Sequence, residues 1–251
     1  GTMIPHFKKG DFDQLKFQIP KSRRIQDRIG DIYFTLSNKI ELNRRMNETL
    51  EGMAQVLFKS WFVDFDPVID NALEAGNPIP YEFAAKVETR RKALADGTAN
   101  REAAKQFPAA FLETDEMGWI PEGWAISTID SEYNVVMGQS PKGDTYNEEG
   151  EGTLFYQGRA EFGWRFPTPR LYTTDPKRMA KAGDALMSVR APVGDFNMAL
   201  NDCCVGRGLC ALSHKTGGPS FTYYQMKDFQ KHLDKFNGEG TVFGSINQKD
   251  L

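Results

Sequence analysis

Apolar residues in the first quarter of the chain recur in steps of four and three. Ile25, Ile29, Ile32, Leu36, Lys39, Asn43, Met46, Leu50, Met53 and Leu57 form one heptad seam, with Lys39 and Asn43 as polar interruptions. No proline falls between Lys21 and Asp66. The spacing predicts one helix over residues 21–61, roughly 60 Å long at about 1.5 Å per residue. Such a helix cannot bury its seam on itself, and the pattern predicts no second helix of similar length. It reads as a coiled-coil strut that needs a partner helix, with Asn43 suited to setting register.

The seam runs into Ser60-Trp61-Phe62-Val63-Asp64-Phe65-Asp66-Pro67, where aromatic residues gather before a proline stop. Aromatics at an element end serve either as local core or as an anchor for a partner protein. Residues 67–118 read as a connector, with a helical pattern over 81–95 broken at Gly97-Thr98-Ala99-Asn100. From Trp119 onward glycine and aromatic residues rise, and short β-type runs alternate with turn signals. Strands are expected over 124–129, 153–156, 185–189 and 208–212, and a helix over 221–236. Gly138-Gln139-Ser140-Pro141 and Lys142-Gly143-Asp144 signal a loop. The fold class expected is α+β, one long coiled-coil-type helix plus a mixed α/β domain of about 130 residues.

The net charge of −3 on 251 residues does not by itself suggest a nucleic-acid binder. Residues 1–66 carry 11 basic and 9 acidic side chains, 67–120 carry 6 and 9, and 121–251 carry 14 and 16. There is no polybasic tail, so bound DNA would require basic groups to converge in space or a partner to supply charge. Cys203, Cys204 and Cys210 fit no common zinc spacing and read as small core residues, while His6, His214 and His232 are scattered. No apolar run approaches the roughly 18–20 residues of a membrane span. The chain also lacks a secretory-signal layout at its start, so it is read as cytoplasmic.

Enzyme motifs are missing as well. There is no Walker phosphate loop, Gly-rich cofactor turn or metal-ligand cluster. Asn77-Pro78-Ile79-Pro80-Tyr81 comes near the Asn-Pro-Pro-Tyr element of amino-methyltransferases, but Ile79 interrupts the tight turn that element needs.

The two ends of the chain echo one another. The segment from Gly1-Thr2-Met3-Ile4 to Asp11-Phe12 aligns with the segment from Gly240-Thr241-Val242-Phe243 to Asp250-Leu251, with Gly, Thr and Asp identical. The echo suggests that residues 1–19 close one copy of a domain whose next copy stops at the same point.

Two stretches carry a family resemblance. Lys39-Ile40-Glu41-Leu42-Asn43-Arg44-Arg45-Met46-Asn47-Glu48-Thr49-Leu50-Glu51 and Phe58-Lys59-Ser60-Trp61-Phe62-Val63-Asp64-Phe65-Asp66-Pro67 resemble the spacer helix of the specificity (S) subunit of type I restriction-modification systems. Ile120-Pro121-Glu122-Gly123-Trp124, Gly138-Gln139-Ser140-Pro141, Ser188-Val189-Arg190-Ala191-Pro192-Val193-Gly194 and Gly240-Thr241 resemble its recognition domain. The resemblance divides the chain into the end of a preceding recognition domain (1–19), a spacer helix (20–66), a connector (67–118) and a target-recognition domain (119–251).

The resemblance implies a non-catalytic subunit in which paired antiparallel helices hold two recognition domains, each reading half of a split DNA site. A strut of about 60 Å spans roughly 18 base pairs. It further implies methyltransferase (M) subunits that dock on the helices and use S-adenosylmethionine, and a separate restriction (R) subunit that consumes ATP. S-adenosylmethionine, ATP and Mg are thus expected on partner subunits and no cofactor on this chain. One recognition domain and one helix stand here where a full subunit has two of each. That departure suggests a circularly shifted half, as a fragment or as a half-subunit that pairs with itself through the long helix on a palindromic split site. The alternative is a coiled-coil scaffold that binds no DNA.

For reading double-stranded DNA, polar side chains on loops held by a rigid sheet are the candidates. They are Gln139, Ser140 and Lys142, then Gln157 and Arg159, Arg165 and Arg170 flanking a Pro-rich turn, Arg190, and Ser245 and Asn247 near the end. Arg190 and Arg207 could equally be structural, since each sits among small residues. For partner subunits the candidates are Asn43, Arg44 and Asn47 on the helix, with Trp61, Phe62 and Phe65 at its end.

Overall fold

The computed structural model describes residues 9–190 and 192–233. Ser245, Asn247, His6 and both echoing segments up to residue 8 and from 240 lie outside these. The chain forms two compact units, residues 1–54 and 55–251.

In the first unit the main element is helix α1, Arg23–Phe62, which continues into the second. Surface pairs at helical spacing support it, Arg23–Asp27 and Arg45–Glu41, each at 2.9 Å. No residue of α1 is buried. The seam residues Ile29, Leu36 and Leu50 remain 56%, 57% and 56% exposed, so the described residues do not cover the stripe that the heptads create.

Within the second unit the end of α1 leads through a sharp reversal into α2, Asp66–Ala75. Phe65 makes the turn with φ 57°, a left-handed conformation that a bulky residue adopts only under tertiary compulsion. The compulsion is aromatic. The Phe65 ring lies 5.6 Å from Trp124 and 6.0 Å from Phe83, and Phe83 stacks on Phe111 at 4.8 Å. α1 ends before Pro67 is reached, and Pro67 instead sits in the first turn of α2, where its missing N–H costs nothing.

The connector is built onto this turn. Helices α3, Ala84–Ala95, and α4, Arg101–Ala104, pack on α2. Asp70, 1% exposed, receives the Arg90 guanidinium in a two-pronged contact, with Nε donating to Oδ1 at 2.8 Å. Asn71 donates to the carbonyls of Ala104 and Phe107 at 2.8 and 2.9 Å, tying α2 to the chain beyond α4.

A hairpin follows, β1 (Phe111–Thr114) and β2 (Gly118–Pro121), which the hydrophobic pattern did not announce. Its turn ends at Gly118 with φ 67°. The strand expected over 124–129 does not form. Trp124 is drawn into the aromatic cluster, and Thr128 instead caps the short helix α5, Ile129–Glu132, by accepting from Ser131 N–H.

The remaining strands are β3 (Tyr133–Met137), β4 (Tyr146–Asn147), β5 (Thr153–Tyr156), β6 (Leu171–Thr173), β7 (Met179–Ala180), β8 (Ala185–Val189), β9 (Val193–Met198), β10 (Cys203–Val205) and β11 (Leu209–His214). They form a four-stranded sheet, β3-β11-β8-β9, and a five-stranded sheet, β4-β6-β5-β10-β7. Helix α6, Pro219–Leu233, closes the described chain. The expected mixed α/β domain beside a long helix is the architecture observed.

Strand periodicity explains the layering. On β8 and β11, Met187, Val189, Cys210 and Leu212 face one way and pack with Tyr223, Met226 and Leu233 of α6. Their neighbours Leu186, Leu209 and Ala211 face the other way and pack with Tyr156, Cys203 and Val205 of the second sheet. The central strands are therefore buried on both faces, which is why they read as continuous apolar runs.

The three cysteines belong to this core and are unpaired and buried. Burial pushes the Cys203 and Cys210 thiols up to about 12. Among the described residues no group of three or more His, Cys, Asp or Glu side chains could hold a metal.

Two outcomes are expected. A thiol reagent at pH 8 should titrate no cysteine until denaturant is added, and rapid native labelling would contradict the burial. The unfolded thiols ionise near roughly 8.5, well below the folded ones. Stability from these groups is thus complete below that pH and falls as pH rises toward 12, readable in urea midpoints at pH 8 and 10. Leu212→Ala should cost roughly 2–5 kcal/mol in the same assay.

Candidate nucleic-acid interface

Strands β10 and β11 are joined by a turn over residues 206–209, closed by Leu209 N–H donating to the Gly206 carbonyl at 2.9 Å. Three other segments meet this turn. Gly206 and Gly208 N–H donate to the carbonyls of Tyr156 and Gln157 at 2.8 and 3.2 Å. Val189 N–H donates to the Gly208 carbonyl at 3.0 Å, and Gly138 N–H to the Leu209 carbonyl at 2.9 Å. Gln139 N–H reaches Val205 at 2.9 Å, and the Ser140 hydroxyl accepts from Arg207 N–H at 3.3 Å.

Only glycine permits this convergence. A Cβ on Gly138 would lie 2.1 Å from the Gly206 carbonyl oxygen, and one on Gly206 would lie 2.8 Å from Gln157 Cα. The Gly-Gln-Ser-Pro loop of the sequence is thus one wall of a four-segment backbone junction at an end of both sheets.

The junction gathers four of the candidate residues, Gln139, Ser140, Gln157 and Arg190, at adjoining positions. Gln139, Gln157 and Arg190 are exposed, as is Lys142 just beyond Pro141. The loop carrying Lys142 is braced, with Tyr146 Oη donating to the Pro141 carbonyl at 2.9 Å and Thr145 N–H to the Lys142 carbonyl at 3.0 Å. Arg207 stands at the tip of the turn, exposed; it was not among the residues expected to touch DNA. The signal for it in the sequence is Gly206-Arg207-Gly208, a cation between two residues that cannot contribute side chains to a core.

Other candidates sit elsewhere or are already engaged. Arg159 is paired with Asp195. Arg170 joins Glu161 at 2.6 Å and Glu148 at 3.3 Å, and its pKa is raised chiefly by the Glu161 hydrogen bond. Arg165 is woven into the packing of α6: Nη2 donates to Tyr224 Oη at 2.6 Å, and the guanidinium lies 4.9 Å from the centre of the Tyr223 ring. That geometry gives Arg165 a structural task.

On α1, Asn43, Arg44 and Asn47 are all exposed. Trp61, Phe62 and Phe65 are half-buried in the aromatic cluster, where Phe62 also meets Phe221 of α6 at 5.3 Å. An open apolar pocket of about 500 Å³ remains beside them, lined by Trp61, Phe62, Ala103, Gln106, Phe107 and Trp124.

A long helix with an exposed heptad seam and a mixed α/β domain are what the resemblance to type I specificity subunits implies. Comparison with known proteins shows that the chain is similar, over more than half of its own length, to type I restriction enzyme specificity subunits. It is 43% identical over 148 residues to a protein of Methanocaldococcus jannaschii described as the MjaX type I restriction enzyme specificity subunit, covering 58% of this chain and 35% of that one. It is 33% identical over 164 residues to the HindI specificity subunit of Haemophilus influenzae, covering 55% and 36%.

Among solved structures, a chain from a study of complex assembly and conformational transition of the type I R-M system matches with TM-score 0.50 and 28% identity. That match covers 90% of this chain and 45% of the other. The HsdS subunit of Thermoanaerobacter tengcongensis matches at 28% identity with TM-score 0.49, over 90% and 44%. No family model matches. The chain spans about a third of the length of the curated relatives and under half of the solved ones. Among the described residues no helix is long and apolar enough to cross a membrane.

Gly206→Ala is expected to lower stability by roughly 1–3 kcal/mol, because the new methyl group meets main chain that cannot yield. Equilibrium urea unfolding checks this, and an unchanged midpoint would mean that the junction opens freely.

Proposed function

We propose that this chain is a DNA-recognition subunit of a type I restriction-modification complex. In this reading it reads one half of a split site and docks methyltransferase subunits on its long helix. The observation that carries it is the gathering of Gln139, Ser140, Gln157 and Arg190 onto one rigid backbone junction. Glutamine and arginine are the side chains best suited to base edges, and loops held by a sheet keep them in register. Arg159 and Arg170 would have to leave their carboxylate partners to join them, and Lys142 lies on the neighbouring braced loop.

The exposed seam of α1 supports a helical partner. A second copy of this chain, antiparallel, would supply one and would place two recognition domains on a palindromic split site. Asn43, Arg44 and Asn47, with the aromatic pocket beside Trp61 and Phe62, are proposed to receive the methyltransferase subunits. S-adenosylmethionine would belong to those subunits, and ATP and Mg to the complex with its restriction subunit, leaving this chain to recognise DNA without catalysing a reaction.

Co-expression with the methyltransferase subunit, affinity capture and mass determination test the docking. The expected result is a stable complex holding methyltransferase chains and two copies of this one. A strictly monomeric mass with α1 folded would overturn the self-pairing. In that complex Gln139→Ala and Gln157→Ala should each cost roughly 1–3 kcal/mol and relax preference at one base position. If neither changes affinity or site choice, DNA is read elsewhere. Absence of any salt-dependent DNA binding would favour the scaffold reading.

A further inference from the structure

The heptad seam of α1 is symmetric about its own middle. From Ile25 to Leu57 the seam positions are apolar except for Lys39 and Asn43, which stand equally far from Glu41. Read outward from Glu41, the positions come in pairs: Lys39 with Asn43, Leu36 with Met46, Ile32 with Leu50, Ile29 with Met53, and Ile25 with Leu57. Polar is matched to polar and apolar to apolar at every step. Three of the four apolar pairs join isoleucine, branched at Cβ, to leucine or methionine, which are not.

A contact between two copies about a two-fold axis needs such a pattern, because residue i meets j and j meets i. Along two antiparallel helices a step up one is a step down the other, so positions whose numbers have a constant sum meet. With Glu41 at the axis, each seam pair becomes one layer of the contact. Other antiparallel registers that keep the seams together lie a heptad away. Shifted by one heptad, Lys39 meets the partner's Leu36 or Leu50, and Asn43 meets the partner's Ile32 or Met46. Either shift buries a charge and an amide against apolar chains. A parallel pair instead sets Lys39 on the partner's Lys39, like charge on like. Of these arrangements only the symmetric antiparallel one gives both polar residues a compatible polar neighbour.

The surface of α1 is available for this register. Every apolar seam residue from Ile29 to Met53 is more than half exposed, and Lys39 and Asn43 are exposed as well. Ile40 and Leu42 flank the seam on either side of Glu41 and are also more than half exposed. They widen the apolar surface at the place where the seam itself is polar, and at the axis each would meet its own counterpart. Glu41 is engaged on its own helix by Arg45 at 2.9 Å.

We propose that two copies of this chain pair through α1 in this one register, with Lys39 of each copy facing the partner's Asn43 and Glu41 at the axis. This rests on the self-pairing proposed above and adds the match of layer to layer. The apolar layers provide the attraction, and the two Lys39–Asn43 layers exclude the alternatives, the best-attested use of isolated polar residues in a seam. A slip of one heptad slides one copy past the other by about 10 Å, the length of about three base pairs. The register thereby sets the spacing between the halves of the proposed split site.

The test uses the full chain, whose native cysteines are buried, with no DNA or methyltransferase present. Leu36→Cys and Met46→Cys proteins, purified separately, are mixed under oxidised glutathione and compared with each alone. The expected result is a disulfide-linked dimer in the mixture and little in either protein by itself. Efficient linking of Leu36→Cys to itself would overturn the antiparallel arrangement. Linking of Leu36→Cys to Lys39→Cys or Met53→Cys in preference to Met46→Cys would overturn the register. A second reading needs no added cysteine. In sedimentation at low salt, Asn43→Glu should tighten the dimer by roughly five- to tenfold, since each new carboxylate faces the partner's Lys39. Lys39→Gln in the same chain should remove that gain. A dimer weakened by Asn43→Glu would mean that the two new carboxylates meet, as in a parallel pair. A wholly monomeric wild type would overturn the self-pairing together with the register. DNA reading is measured separately with duplex present, so it stands or falls independently of these results.

Discussion

The close approach of main chain to main chain at Gly138, Gly206 and Gly208 is the constraint on which the mixed α/β domain depends. Backbone amides from four segments find their acceptors there, and a single Cβ at Gly138 would fall 2.1 Å from a carbonyl oxygen. Because the turn between β10 and β11 belongs to both sheets, the junction fixes how the two layers meet as well as how the loops leave them. Side chains on those loops inherit that rigidity, because the backbone that carries them is held on several sides.

A second constraint sits at the end of α1. The reversal at Phe65 places a bulky residue in left-handed conformation, and it persists because Trp124, Phe83 and Phe111 hold the ring. The same cluster takes in Phe62 and Phe58, which reach Phe221 and Tyr224 of α6. The helix end, the connector and α6 are thereby one packed body, so these aromatics serve the chain's own core, with an open pocket at Trp61 and Phe107 beside them. The seam further up α1 is different, since its apolar residues from Ile29 to Met53 stay more than half exposed.

Charge follows a related division. Residues 121–251 carry a slight excess of acid, and several of their arginines are engaged by internal carboxylates or aromatic rings.

Local periodicity by itself determined the long helix, the strands over 153–156 and 185–189, the buried cysteines and the loop at Gly138, because each depends on spacing or chemistry within a few residues. The spacer motifs from Lys39 to Pro67 determined the family resemblance, since they keep a long run of specific residues in order. The hairpin at 111–121 and the missing strand after Trp124 were not legible: the first depends on a turn glycine, and the second on a ring captured by residues more than fifty positions away. Nor could spacing tell Arg165, spent on Tyr223 and Tyr224, from Arg190, left free. The meeting of residues 138–140, 156–157, 189 and 206–209 at one junction likewise came only with the tertiary structure, because strand pairing joins positions that no local pattern connects.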